Sequence, residues 1–152
     1  MKTIIPALIF YLIVSTSVAQ TDVREKQFNL EDGLAIQGYD PVAYFVQHKA
    51  VKGKSAYTHT KDGVKYYFSS GANRELFIKN SSMYEPQYGG WCAYAMGESG
   101  EKVEIDPETF KITDGKLYLF YNSLFNNTLP KWNKNEVSLK SNADKNWKTI
   151  YK

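Results

Sequence analysis

The only cysteine of the 152-residue chain, Cys92, stands directly behind Gly89-Gly90 and Trp91. Glycines accept positive φ and let other groups approach the backbone closely. Tyr84 to Met96 therefore reads as a tight turn delivering Cys92 to the start of a short buried helix. The positive end of that helix dipole would favour the thiolate. A sulfur so placed suits metal ligation or nucleophilic chemistry. The histidines available to it are His48 and His59, the second on the first hairpin expected below. Cys92 with His59 would suit copper or zinc, with water or a carboxylate completing the shell. A small-ligand pocket beside the same bend would draw on Tyr39, Asp40, Tyr88, Gly89, Gly90 and Trp91.

Each of these residues also has a plainer role. Free cysteine is among the most buried residue types and commonly packs as a small hydrophobe. Trp91, Ala93 and Tyr94 are suitable neighbours for that. A single histidine on a strand is ordinarily half-exposed and idle. A Cys92–His59 nucleophilic dyad has amides at Gly89 and Gly90 to serve as oxyanion donors, but nothing else resembles a substrate-binding apparatus, so the reading is non-enzymatic. Asp40, Asp106 and Asp114 each precede proline or glycine and read as turn formers.

The elements that must position these residues follow from the local pattern. Lys2, the apolar run Ile4 to Val14 and Ser17-Val18-Ala19 form a secretory signal over residues 1–19, cleaved after Ala19. That apolar run is shorter than the roughly 20 residues a membrane-spanning helix needs, so no span is expected after cleavage. The destination is secreted or periplasmic. An oxidising compartment offers a lone cysteine no intramolecular disulfide, so packing must supply stability. A formal charge of +3 is too small a bias to argue for nucleic acid.

Residues 20–33 read as an extended lead-in, followed by one domain over 34–152. A short strand is expected near Leu34 to Gln37. Asp40 before Pro41 is a favoured N-cap and N1 pair for a short helix. Lys61-Asp62-Gly63 and Asp114-Gly115 each separate β-prone runs, the strongest short-range hairpin signal. They predict one antiparallel sheet of four to six short strands. Ser70 caps a helix to Asn80 with an apolar stripe of Ala72, Leu76 and Phe77. Val103 to Ile105 is expected as a strand, and Ser141 to Tyr151 as a C-terminal helix carrying Ala143, Trp147, Ile150 and Tyr151. The fold class is α+β: a small antiparallel sheet built from β-hairpins, a few short helices and a C-terminal helix. Asn80-Ser81-Ser82 and Asn126-Asn127-Thr128 match glycosylation sequons.

Tyr39-Asp40-Pro41-Val42, Lys65-Tyr66-Tyr67-Phe68-Ser69-Ser70, Phe77 and Tyr84 together resemble the YHS domain family. With Glu85 to Ala93, Asp106-Pro107, Asp114 to Phe120 and Ala143 to Trp147, the chain looks like the longer, exported YHS-domain proteins, over about residues 34 to 151. The resemblance implies an association with metal handling, through cysteines that would match Ala43, Ser69 and Asn73. All three thiols are missing here, so a thiolate-rich site does not carry over. The sequence thus points to an exported binding module for a transition metal or small molecule near Cys92. Its alternatives are a structural or protein-interaction domain with an inert Cys92 and, last, a thiol-dependent enzyme.

Overall fold

The structure, a computed structural model, describes residues 21–152; the expected signal and its cleavage position lie outside the described residues. Helix and strand fall into an α+β arrangement closed by a C-terminal helix, as the hairpin and helix signals require. Residues 21–27 form a helix, α1, rather than an extended lead-in. Straight-chain residues such as Arg24, Glu25 and Lys26 tolerate helix well, and tertiary contacts of Arg24 and Phe28, described below, hold it in place.

Strands β1 (Leu30–Glu31), β2 (Leu34–Ala35), β3 (Lys54–Lys61) and β4 (Val64–Phe68) make one sheet in the order β1-β2-β4-β3. The β2–β4 pairing is parallel, so this sheet is mixed. A 3-10 turn at Ile36–Gly38 cuts β2 short of Gln37. The second hairpin, β5 (Asp106–Thr113) with β6 (Lys116–Phe120), stands as its own pair, and β7 (Asn122–Ser123) with β8 (Asn126–Asn127) as a third. The single sheet expected from the two hairpin signals is therefore divided. Both turns are as read: φ is positive at Asp62, Gly63, Asp114 and Gly115, the backbone of a type I′ turn.

The reason for the division lies in β6. Its residues Leu117, Tyr118, Leu119 and Phe120 are all buried. Leu117 and Leu119 enter one apolar cluster with Tyr44, Tyr66, Phe68 and Phe77; Tyr118 and Phe120 enter a second with Trp132, Met96 and Ala143. With period-2 side chains on both faces covered, β6 is a wall between two cores rather than one more strand of the first sheet. Val103 to Ile105 is not a strand; regular pairing starts at Asp106. There the Asp106 carboxylate accepts from the Glu108 N–H and the Thr109 hydroxyl, which accompanies a register shift before Phe110.

The helices are α2 (Ala43–Val46), α3 (Gly71–Lys79), α4 (Ser81–Tyr84), α5 (Ala93–Glu98), α6 (Leu129–Lys134) and α7 (Glu136–Ile150). The Ser70 hydroxyl caps α3 by accepting from the Asn73 N–H. This helix buries Asn73 and Phe77 instead of the expected Ala72 and Leu76, because Phe77 meets the rings of Tyr66 and Phe68 across the sheet. Gly97 lets α5 meet α7: a Cβ there would stand 2.4 Å from the Leu139 carbonyl oxygen.

The first residue of α7, Glu136, accepts from Lys111 Nζ at 2.6 Å and from the Thr113 hydroxyl at 3.2 Å. The Lys111 ammonium, above other influences, holds the Glu136 carboxyl below its usual value. A depressed carboxyl contributes stability above its unfolded pKa of about 4.3 and loses it as pH falls through the lower folded value. Glu136→Gln should cost about 1 kcal/mol near pH 7, and the difference from the parent should shrink to nothing in acid. Urea unfolding from pH 7 to pH 3 measures this; a gap independent of pH would contradict it.

Candidate ligand cleft

The stretch that carries Cys92 is sharply bent. After α4 the chain makes a 3-10 turn at Gln87–Gly90, with φ of +56° at Tyr88, +61° at Gly89 and +86° at Gly90. Positive φ is uncommon for a bulky residue such as tyrosine and persists only where surroundings hold it. Here the surroundings are explicit. The Asn29 N–H donates to the Gly89 carbonyl at 2.9 Å, and Trp91 Nε1 donates to the Gln27 carbonyl at 2.7 Å. The Tyr88 hydroxyl donates to Asp144 on α7 at 3.0 Å. Burial, followed by the Asp144 carboxylate, pushes that hydroxyl far above its usual pKa, so it remains a donor.

Residues 24–29 therefore strap the bend from one side and α7 from the other. Arg24, 94% buried, forms a two-pronged ion pair with Glu85, and the Tyr66 hydroxyl donates to the same carboxylate at 2.7 Å. The Arg24 guanidinium also lies 4.4 Å from the centre of the Phe28 ring. Phe28 meets Trp147 and Tyr151 at 6.1 and 6.0 Å between ring centres, and those two stack at 5.4 Å.

Between strap, bend and helix lies an open cleft of about 460 Å3. Its walls include the rings of Phe28, Tyr88, Trp147 and Tyr151, the Arg24–Glu85 pair, Asp144, Lys116 and Lys148. That volume suits a small organic molecule. Apolar faces offer stacking area, and fixed charges offer orientation.

Only Tyr88 and Gly89 of the expected pocket residues line this cleft. The Gly90 carbonyl accepts from the Asn29 side chain. Trp91 is held by Gln27, with Lys102 over its ring. The Tyr39 ring lies under Lys52, and its hydroxyl reaches Glu108. Asp40 is fully buried and fully used: Oδ1 accepts from the Val42 and Ala43 N–H groups, capping α2, and Oδ2 from the Ser69 N–H, the Ser69 hydroxyl and Asn73 Nδ2. Ala43, Ser69 and Asn73, the positions where the resemblance would place thiols, thus converge on one spot, and a hydrogen-bonded carboxylate occupies it.

Cys92 does precede α5, as the bend requires. Its sulfur is fully buried and accepts from the Tyr121 N–H at 3.3 Å. It lies 3.5 Å from the Thr128 hydroxyl, whose own hydrogen goes to the Tyr121 carbonyl at 2.8 Å. The thiol hydrogen is then the one shared with Thr128. A shallow groove of about 490 Å3 runs beside this pair. His59 pairs with Tyr66 across β3 and β4 and rests edge-on against Phe77, 6.2 Å between ring centres. His48 is exposed, with φ of +53°. Sulfur and imidazole thus have separate neighbours. Among the described residues, no group of three or more His, Cys, Asp or Glu side chains is placed to hold a metal ion. The donors around Cys92, one amide and one hydroxyl, do not fit copper or zinc.

The cleft residues that sequence reasoning missed are Arg24, Phe28, Glu85, Lys116, Asp144, Trp147, Lys148 and Tyr151. One signal was present: Trp147 and Tyr151, at i, i+4 spacing, put two large rings on one face of the expected C-terminal helix.

Gly89 decides whether the walls can close around the bend. A Cβ there would stand 2.8 Å from Phe28 Cδ1 and from Trp147 Cη2, in a backbone region that L-residues avoid. Gly89→Ala should therefore lower stability by about 2–4 kcal/mol and shift the Trp147 environment. Urea unfolding read by tryptophan emission checks both; an unchanged midpoint would contradict the assigned packing.

Compared with protein-family models, with curated proteins and with solved structures, the chain finds no match.

Proposed function

We propose that this chain is a non-enzymatic, exported binding module whose ligand is a small organic molecule seated in the cleft beside Tyr88-Gly89. The observation that carries this is the cleft itself. Four aromatic rings and a partly buried ion pair surround a bend whose strained backbone is fixed from two sides. Backbone strain and convergent polar groups beside aromatic faces are marks of a binding site. The secretory features of residues 1–19 and the resemblance to longer exported YHS-domain proteins support the exported setting. The metal version of the reading draws no support from the donors at Cys92 or His59, and the sulfur is better understood as a packed, hydrogen-bonded side chain.

A protein-interaction reading has one observation in its favour. Leu124 and Phe125 form the tip of the β7–β8 hairpin and are 88% and 94% exposed. Exposed apolar residues at a tight turn run against turn chemistry, so contact is a reason for their presence.

A fragment screen followed by amide chemical shifts separates these readings. Hits should cluster on Tyr88, Gly89, Trp147 and Tyr151, while copper and zinc should leave the Cys92 and His59 signals unmoved. Hits confined to the Cys92 groove, or a stoichiometric metal response at Cys92, would overturn the proposal.

A further inference from the structure

The charges in the cleft are not balanced, and their pairing says which are free to meet a ligand. Of the two carboxylates in its walls, Glu85 is committed to Arg24 and Tyr66. Asp144 is committed to the Tyr88 hydroxyl and to Lys140 Nζ at 3.3 Å. Lys116 and Lys148 line the same cleft and take part in no ion pair, hydrogen bond or ring contact among the described residues. Arg24 adds a buried Nε donor that has no hydrogen-bond partner among the described residues. Every unused charge in the site is positive, and so is its one unused buried donor.

The apolar part has a shape as well. Trp147 and Tyr151 stack with their planes 18° apart, and Phe28 tilts against both. Stacked rings beside an open recess favour a flat partner. A flat cation would gain from the same ring faces, but it would meet Arg24, Lys116 and Lys148 without an uncommitted carboxylate to answer it. Complementary potential selects against the wrong sign more strongly than it strengthens the right one.

Resting on the cleft reading above, we propose that the ligand is a planar aromatic anion, of the aromatic carboxylate class. Its ring lies against the Phe28–Trp147–Tyr151 group and its oxyanion is held by Lys148 and Lys116, within reach of the Arg24 guanidinium.

Three probes of one shape and different charge test this: 2-naphthoate, 2-naphthalenemethanol and 2-naphthylmethylammonium, each titrated into the isotopically labelled protein. The carboxylate should shift the Trp147 and Tyr151 signals and bind at least about fivefold tighter than the alcohol, with the amine weakest. Raising salt should narrow that gap. Lys148→Glu, an exposed substitution that leaves the fold intact, should abolish the preference for the carboxylate. Equal binding of carboxylate and alcohol, or tighter binding of the amine, would overturn the anion assignment while leaving the cleft as a binding site. If none of the three moves the Tyr88, Trp147 or Tyr151 signals, the anion assignment fails together with the cleft reading beneath it.

Discussion

A buried guanidinium and a half-buried carboxylate, 61 residues apart, hold the site together. Arg24 and Glu85 meet under the bend, with Tyr66 from the sheet donating to the same carboxylate. Burying two charges is costly unless geometry and further hydrogen bonds offset the lost hydration. Burial, ahead of the Glu85 carboxylate, raises the Tyr66 hydroxyl well above its usual pKa, so it stays a donor. The pair's main product is position: it fixes α1 against the bend and so brings Phe28 to Trp147 and Tyr151. Without it, the strap is left with the Asn29–Gly89 and Trp91–Gln27 hydrogen bonds and the Phe28 ring contacts.

The rest of the fold provides a rigid floor. Strand β6 sends alternate side chains into two cores, and the Pro86–Leu117 bridge ties the entry to the bend onto that strand. Asp40 ties the first sheet to its helices, gathering five donors from the start of α2, from α3 and from the end of β4. Cys92 belongs to this floor too. Its sulfur joins α5 to Tyr121 and Thr128, and so acts as a hydrogen-bonding hydrophobe between two elements.

Much of this was legible in the sequence because it is local. Asp62-Gly63 and Asp114-Gly115 specify their turns by backbone preference alone, and Ser70 and Asp40 cap helices within three residues of themselves. The glycine bend before Cys92 was equally readable. What no local rule contains is the cleft. Arg24 finds Glu85, Phe28 finds Trp147 and Tyr88 finds Asp144 only after the chain has closed, across separations of 56 residues or more. The same holds for the thiol. Its place at a helix start could be foreseen, but Thr128, the residue that shares its hydrogen, lies 36 positions later. Reading 20–33 as extended followed from its polar composition; a helix whose stability comes from one buried pair leaves little trace in composition.

This pair latches α1 onto the bend. Amide hydrogen exchange on the parent and on Glu85→Gln measures it directly. Residues 21–28 should be protected in the parent and lose protection in the variant together with Trp147 to Tyr151, while the β3–β4 amides keep theirs. Equal protection of residues 21–28 in both proteins, or its absence in the parent, would contradict it.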